Sequence, residues 1–152
     1  MVKEGDKAPD FELISHKGDR FKLSSMLGRP VVLFFYPKDD TPGCTRENCL
    51  IRDNIEEFEK RGAVAIGISV DGIDSHNRFA DKYRLTHLLL SDTDGMVSKK
   101  YGALGFGGRS QRKTFVIDEN GIIRKIISGV MPGKHVKESL IALDELKRMP
   151  KD

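Results

Sequence analysis

The chain has 152 residues, 38% of them hydrophobic and 32% charged, and a formal net charge of +3. This suits one domain with an ordinary core and excludes global disorder. The charge is too small and too evenly mixed to mark a nucleic-acid or membrane partner; the run Arg52, Asp53, Glu56, Glu57 and Lys60, for example, reads as a solvated helix face.

Met1 to Lys7 contains no apolar segment of signal-peptide length, and the longest apolar stretches, Val31–Tyr36 and Ala63–Ile68, fall far short of a membrane span. A cytoplasmic location is therefore expected. In such a reducing compartment the two cysteines, Cys44 and Cys49, are catalytic or metal-binding more often than structural.

Phe11–Ile14 and Phe21–Leu23 alternate apolar and polar residues about Gly18, which predicts a β-hairpin. Val31–Tyr36 is continuously apolar and ends at Pro37, the pattern of a central strand buried on both faces. A polar loop, Pro37–Gly43, leads into a helix predicted from Cys44 to Lys60. There Leu50, Ile51, Ile55 and Phe58 recur at helical spacing, and Gly62 ends the helix. Ala63–Val70 reads as another buried strand. Ser75–Tyr83 reads as a helix capped by Asp74 or Ser75, Leu88–Leu90 as a short strand and Gly95–Tyr101 as a short helix. A glycine-rich loop, Gly102–Gly108, follows. Asn120-Gly121 then turns a hairpin between Thr114–Ile117 and Ile122–Ser128, and Val136–Lys147 is a closing helix. There are no repeats or linkers, so a single domain over 1–152 is expected, built as one mixed sheet covered by helices.

Cys44 sits where a buried strand hands over to a helix. The unpaired N–H groups of a helix start, with the helix dipole, favour a negative charge there, and the thiolate is the nucleophilic form. Full ionisation gains roughly thirtyfold at neutral pH, about 2 kcal/mol of barrier. A fast reaction with a peroxide also requires an oriented O–O bond and stabilised charge on the leaving oxygen. The Thr41 hydroxyl and the amides of Gly43 and Cys44 can serve, and an arginine from elsewhere would complete the site. On its own, a cysteine before a helix is more often a small buried hydrophobe.

The run Phe35-Tyr36-Pro37-Lys38-Asp39-Asp40-Thr41-Pro42-Gly43-Cys44-Thr45 resembles the peroxiredoxin motif Pro-x-x-x-Thr-x-x-Cys, in the form of the bacterioferritin comigratory protein or peroxiredoxin Q subfamily. Gly5–Phe11, Leu90-Ser91-Asp92 and Thr114–Asp118 match further along the chain. The resemblance implies a thioredoxin fold, a mixed central sheet flanked by helices, with an N-terminal β-hairpin extension. It implies a thiol-dependent peroxidase acting on hydrogen peroxide or alkyl hydroperoxides, with Cys44 as the peroxidatic cysteine. Thr41 would hydrogen-bond thiolate and peroxide, Pro37 would shield the thiol, Arg112 would be the site arginine, and Glu47 would orient it. Gly43 would contribute its amide. Cys49 matches the resolving cysteine of members that place it five residues on, and a thioredoxin-like dithiol would reduce the resulting disulfide. Helix positions five apart have Cα atoms roughly 8–9 Å apart, beyond the ~7 Å limit for a disulfide. The first turns of the helix must therefore unwind before the Cys44 sulfenic acid condenses with Cys49.

No metal, haem, flavin or other cofactor is expected, and a monomer is. His16, His76, His87 and His135 share no metal-ligand spacing with the cysteines and read as structural or surface residues. Cys44 and Cys49 lack the Cys-x-x-Cys spacing of disulfide reductases. Phe34, Phe35, Phe58, Phe79 and Phe115 read as core. Gly102–Gln111 is shorter and richer in glycine than the family pattern, and is either part of the pocket mouth or a loop without a role. The alternatives to a peroxidase are a redox sensor or holdase switched at Cys44, and a non-catalytic interaction module; the second is disfavoured by Thr41, Cys44 and Arg112 occurring together.

Overall fold

The computed structural model describes residues 2–149; the expected domain limits at 1 and 152 lie outside them. The first two strands, β1 (Glu12–Ser15) and β2 (Arg20–Lys22), pair antiparallel as the expected hairpin. The apolar run becomes β3 (Val31–Phe35), buried along its whole length. The helix expected over 44–60 is two helices, α1 (Pro42–Asp53) and α2 (Ile55–Lys60). It breaks at Asn54, whose side-chain amide donates to the Leu50 carbonyl (2.8 Å), an alternative partner that competes with the backbone ladder. It also starts two residues before Cys44, because Pro42 needs no N–H partner in the first turn.

Strand β4 (Val64–Ser69) leads to α3 (Ile73–Tyr83), which is capped at Gly72 rather than at Asp74 or Ser75. The Ser75 hydroxyl donates instead to Asp39 (2.8 Å). Then come β5 (Leu88–Ser91), α4 (Met96–Lys100), β6 (Lys113–Ile117), β7 (Ile123–Ser128) and α5 (Pro132–Arg148). The last helix begins four residues before Val136, again with proline in its first turn. Among the described residues, no helix is long and apolar enough to cross a membrane.

The strands form one seven-stranded sheet in the order β2-β1-β5-β4-β3-β6-β7. β3 lies inside it, parallel to β4 and antiparallel to β6. Its alternate residues feed two cores. Val31, Leu33 and Phe35 pack with Phe11, Phe21, Tyr101 and Phe115 on one face. Val32 and Phe34 pack with Ile51, Phe58, Val136 and Leu143, beneath α1, α2 and α5, on the other. All five phenylalanines assigned to the core are buried, whereas Phe106 is fully exposed.

Helix α1 comes close to the sheet over Gly67 of β4. A Cβ there would lie 2.8 Å from Leu89 Cδ2, 3.2 Å from the Tyr36 ring and 3.3 Å from Asn48 Oδ1. Gly67→Ala is expected to lower stability by about 1–3 kcal/mol through overpacking. The shift of the urea midpoint, with the slope unchanged, measures this; an unshifted midpoint would mean the helix can back away without cost.

Candidate active site

Tyr36 extends β3 by one hydrogen bond, its N–H donating to the Ile68 carbonyl (3.0 Å), and Pro37, half-buried, stops the ladder. The loop that follows is pinned twice. Asp39 is buried: it accepts from the Tyr36 hydroxyl (2.6 Å) and the Ser75 hydroxyl (2.8 Å), and lies 2.7 Å from His76 Nδ1. Its own N–H donates to Asp71 (2.8 Å). Asp40 takes a left-handed conformation (φ 59°), which Asp tolerates better than most residues, and accepts from Lys82 (2.8 Å) and the Tyr83 hydroxyl (2.9 Å). The loop therefore enters α1 with its direction fixed by α3.

Thr41 is the extended residue before α1, and Pro42, Gly43 and Cys44 are its first three helical positions. Thr45 is the first to close a helical hydrogen bond, on the Thr41 carbonyl (2.8 Å). The amides of Gly43 and Cys44 thus lack acceptors within the helix, which favours negative charge beside the buried Cys44 thiol. The Thr41 hydroxyl donates to the Lys38 carbonyl (2.9 Å) and is not hydrogen-bonded to Cys44.

Arg112, just ahead of β6, reaches across to α1. Its Nη2 donates to Cys44 Sγ (3.3 Å) and its Nη1 to Glu47 Oε1 (2.6 Å). Cys44 and Glu47 are one helical turn apart, so a single planar guanidinium spans both. Gly43 makes this approach feasible: a Cβ there would lie 2.9 Å from Arg112 Nη2. Burial pushes the Glu47 carboxyl up to about 7, against the pull of Arg112. Its Oε2 is buried with no hydrogen-bond partner among the described residues. Burial also works against the charge on Arg112, but Glu47 and the Cys44 thiol outweigh it and hold the guanidinium above its ordinary value.

Cys49 lies half-buried on the same helix, and both cysteines are free thiols. The structure therefore brings together Cys44, Glu47, Gly43 and Arg112, places Pro37 and Thr41 on the loop beside them, and leaves Cys49 more than a turn away. The segment Gly102–Gln111 folds back on itself, with Gly105 N–H on the Arg109 carbonyl and Gln111 N–H on the Ala103 carbonyl (both 2.6 Å). Buried Ser110 meets Ser98 (2.8 Å). This segment delivers Arg112 to the strand.

The sequence reading missed two sets of polar residues. All four histidines are buried, so none is a surface residue. Asp39, Asp71 and His76 offer ligand-type atoms within 4.8 Å of one another, and each is hydrogen-bonded in the loop network. Asn48, between the two cysteines, is fully buried and hydrogen-bonded to His87 (2.9 Å). The consecutive acids Asp39-Asp40 hinted at the first set; nothing local in the sequence links Asn48 to His87.

The AhpC/TSA family model matches residues 4–126. The chloroplastic peroxiredoxin Q of Sedum lineare is 42% identical over 149 residues, covering 96% of this chain and 80% of that protein. The Arabidopsis thaliana peroxiredoxin Q is 46% identical over 142 residues, covering 91% of this chain and 66% of that protein. The chain belongs to the peroxiredoxin family, in its peroxiredoxin Q branch. Its thioredoxin-like fold agrees: the crystal structure of peroxidoxin BcpB from Mycobacterium tuberculosis superposes with a TM-score of 0.90 at 38% identity, covering 96% of this chain and 99% of that one. The bacterioferritin comigratory protein of Xanthomonas campestris gives a TM-score of 0.84 at 29% identity, covering 90% and 91%. This peroxiredoxin is an enzyme, a thiol peroxidase.

These comparisons correct the expected cytoplasmic location, because the plant relatives are chloroplastic proteins. The lack of an apolar N-terminal segment tests only for a secretory signal; plastid-targeting segments are Ser- and Arg-rich instead.

Two measurements follow from the guanidinium bridge. Gly43→Ala is expected to displace Arg112 from the thiol and slow peroxide attack about ten- to a hundredfold. It should leave stability equal or raise it by up to about 1 kcal/mol, since alanine suits a helix better. Stopped-flow rates beside urea midpoints separate the two effects. Glu47 contributes stability that is complete below its ordinary value of 4.5 and lost as pH rises towards about 7, where the folded protein gives up the proton. Wild type is therefore expected to lose up to about 3 kcal/mol relative to Glu47→Gln between these limits, read from urea midpoints across pH. Parallel pH profiles would show that Glu47 is ionised throughout.

Proposed function

We propose that Cys44 is the peroxidatic residue and that Arg112, held by Glu47, activates both the thiol and the peroxide. The observation that carries this is the guanidinium within hydrogen-bond reach of Cys44 Sγ and Glu47 at once (3.3 and 2.6 Å). The thiolate attacks one peroxide oxygen, the O–O bond breaks, and water or an alcohol leaves after taking a proton. Cys44 is left as the sulfenic acid. Arg112 and the free amides of Gly43 and Cys44 offset the charge passing from sulfur to oxygen. Pro37 shields the thiol and Thr41 contacts the peroxide at the loop edge. Family membership favours turnover over the reading as a redox switch.

Cys49 then attacks the sulfenic sulfur, forming the disulfide and releasing water. Because both cysteines lie on intact α1, this needs its first turns to unwind. The break at Asn54 supports that reading, since α1 can lose structure without disturbing α2. A thioredoxin-like dithiol regenerates the two thiols by exchange. The groups named lie on elements packed against one seven-stranded sheet, which supports a single domain.

Stopped-flow peroxide consumption with thioredoxin as reductant tests the scheme. Cys44→Ser is expected to be inactive, and Cys49→Ser to reduce one equivalent and then stall. Steady turnover by Cys49→Ser would make this a one-cysteine enzyme.

A further inference from the structure

Asn48 is a fully buried amide on α1, one turn after Cys44 and immediately before Cys49. Its Nδ2 donates to the Cys44 carbonyl (2.9 Å), and its Oδ1 accepts from Nε2 of His87 (2.9 Å), just ahead of β5. His87 is equally enclosed, and burial, with the nearby charges of His16 and Arg52, pushes its pKa down to about 3. It is therefore neutral, with its proton on Nε2 and its Nδ1 without a partner among the described residues. Gly67 leaves room for this contact, as a Cβ there would come within 3.3 Å of Asn48 Oδ1. A buried amide and imidazole cost desolvation that an apolar pair would not, and their hydrogen bond only offsets it. Their placement ties the backbone of the reacting cysteine, through one side chain, to the sheet across from it.

We propose that the Asn48–His87 hydrogen bond is a latch on the first turns of α1, and that it sets how fast the Cys44 sulfenic acid is resolved by Cys49. This rests on the two-cysteine reading above. The latch is broken when α1 unwinds, and both polar groups can then be met by water. Its strength divides the sulfenic acid between two fates. One is condensation with the Cys49 thiol, which forms the S–S bond and releases water. The other is reaction with a second peroxide, which transfers one oxygen to give the sulfinic acid and releases water or an alcohol. Asn48 and His87 are positioning residues, since neither touches the reacting sulfur.

His87 lies outside α1, so replacing it leaves the helix's own propensities untouched. His87→Leu is expected to speed disulfide formation about tenfold and to raise by the same factor the peroxide concentration that half-converts Cys44 to sulfinic acid. The rate of peroxide attack should stay within about twofold of wild type, because the Arg112 bridge is not altered. His87→Gln keeps an N–H donor and should restore the wild-type resolution rate. Asn48→Ala removes the other half of the bond, and combined with His87→Leu should give no further gain. Amide exchange over residues 44–49 of the reduced protein should rise with the resolution rate.

A purely structural pair would lower the urea midpoint without changing resolution, and that result overturns the latch. So does additivity of the two substitutions, or unchanged exchange over 44–49. If wild type forms no Cys44–Cys49 disulfide, the two-cysteine reading itself fails, and the latch fails with it as a control of resolution. If the disulfide forms equally fast in wild type and His87→Leu, only the latch fails.

Discussion

The Arg112 guanidinium, shared between Cys44 and Glu47, is the contact on which the site depends. It joins the strand half of the fold to the helix that carries the thiol. Its reach is set at both ends: β6 lies beside β3 in the sheet, and α1 leaves the same end of β3 through a loop pinned by α3. Gly43 is the permissive element between them, since any side chain there would meet the guanidinium. A buried ion pair of this kind adds little to stability, because desolvation of both charges offsets their attraction. Its value lies in holding a cation at the sulfur.

The same logic runs through the other buried polar groups. Tyr36, Asp39, Ser75 and His76 hold the entry loop, and Asn48 and His87 hold the first turns of α1. Apart from the half-buried Ser75, these groups are buried, and their contacts span two elements, so they specify one arrangement of backbone. The apolar core, divided by β3 into two layers, supplies the stability; the polar contacts aim the chain around Cys44.

Most of the fold was legible in the sequence because its strands and helices carry clear periods: five consecutive apolar residues in β3, alternation in β1 and β2, and Asn120-Gly121 at the β6–β7 turn. Errors fell where a side chain competed with the backbone or where proline allowed an earlier start. Asn54 split the long helix, Ser75 was committed elsewhere and could not cap α3, and Pro42 and Pro132 opened their helices sooner than the apolar pattern did.

By itself the sequence determined the family, and with it what the resemblance implies for Cys44, Cys49 and Arg112, through runs such as Pro37–Cys44, Gly5–Phe11 and Thr114–Asp118. These are local patterns, and local patterns survive in one dimension. Only the tertiary structure decided how closely the groups meet, and it alone brought in Asn48 and His87. Glu47 with Arg112 and Asn48 with His87 are separated by 65 and 39 residues, and a hydrogen bond between such partners exists only when the sheet order brings their elements together. Burial, which raises the Glu47 carboxyl and keeps His87 neutral, is likewise a property of the packed molecule and leaves no mark on the residues' names.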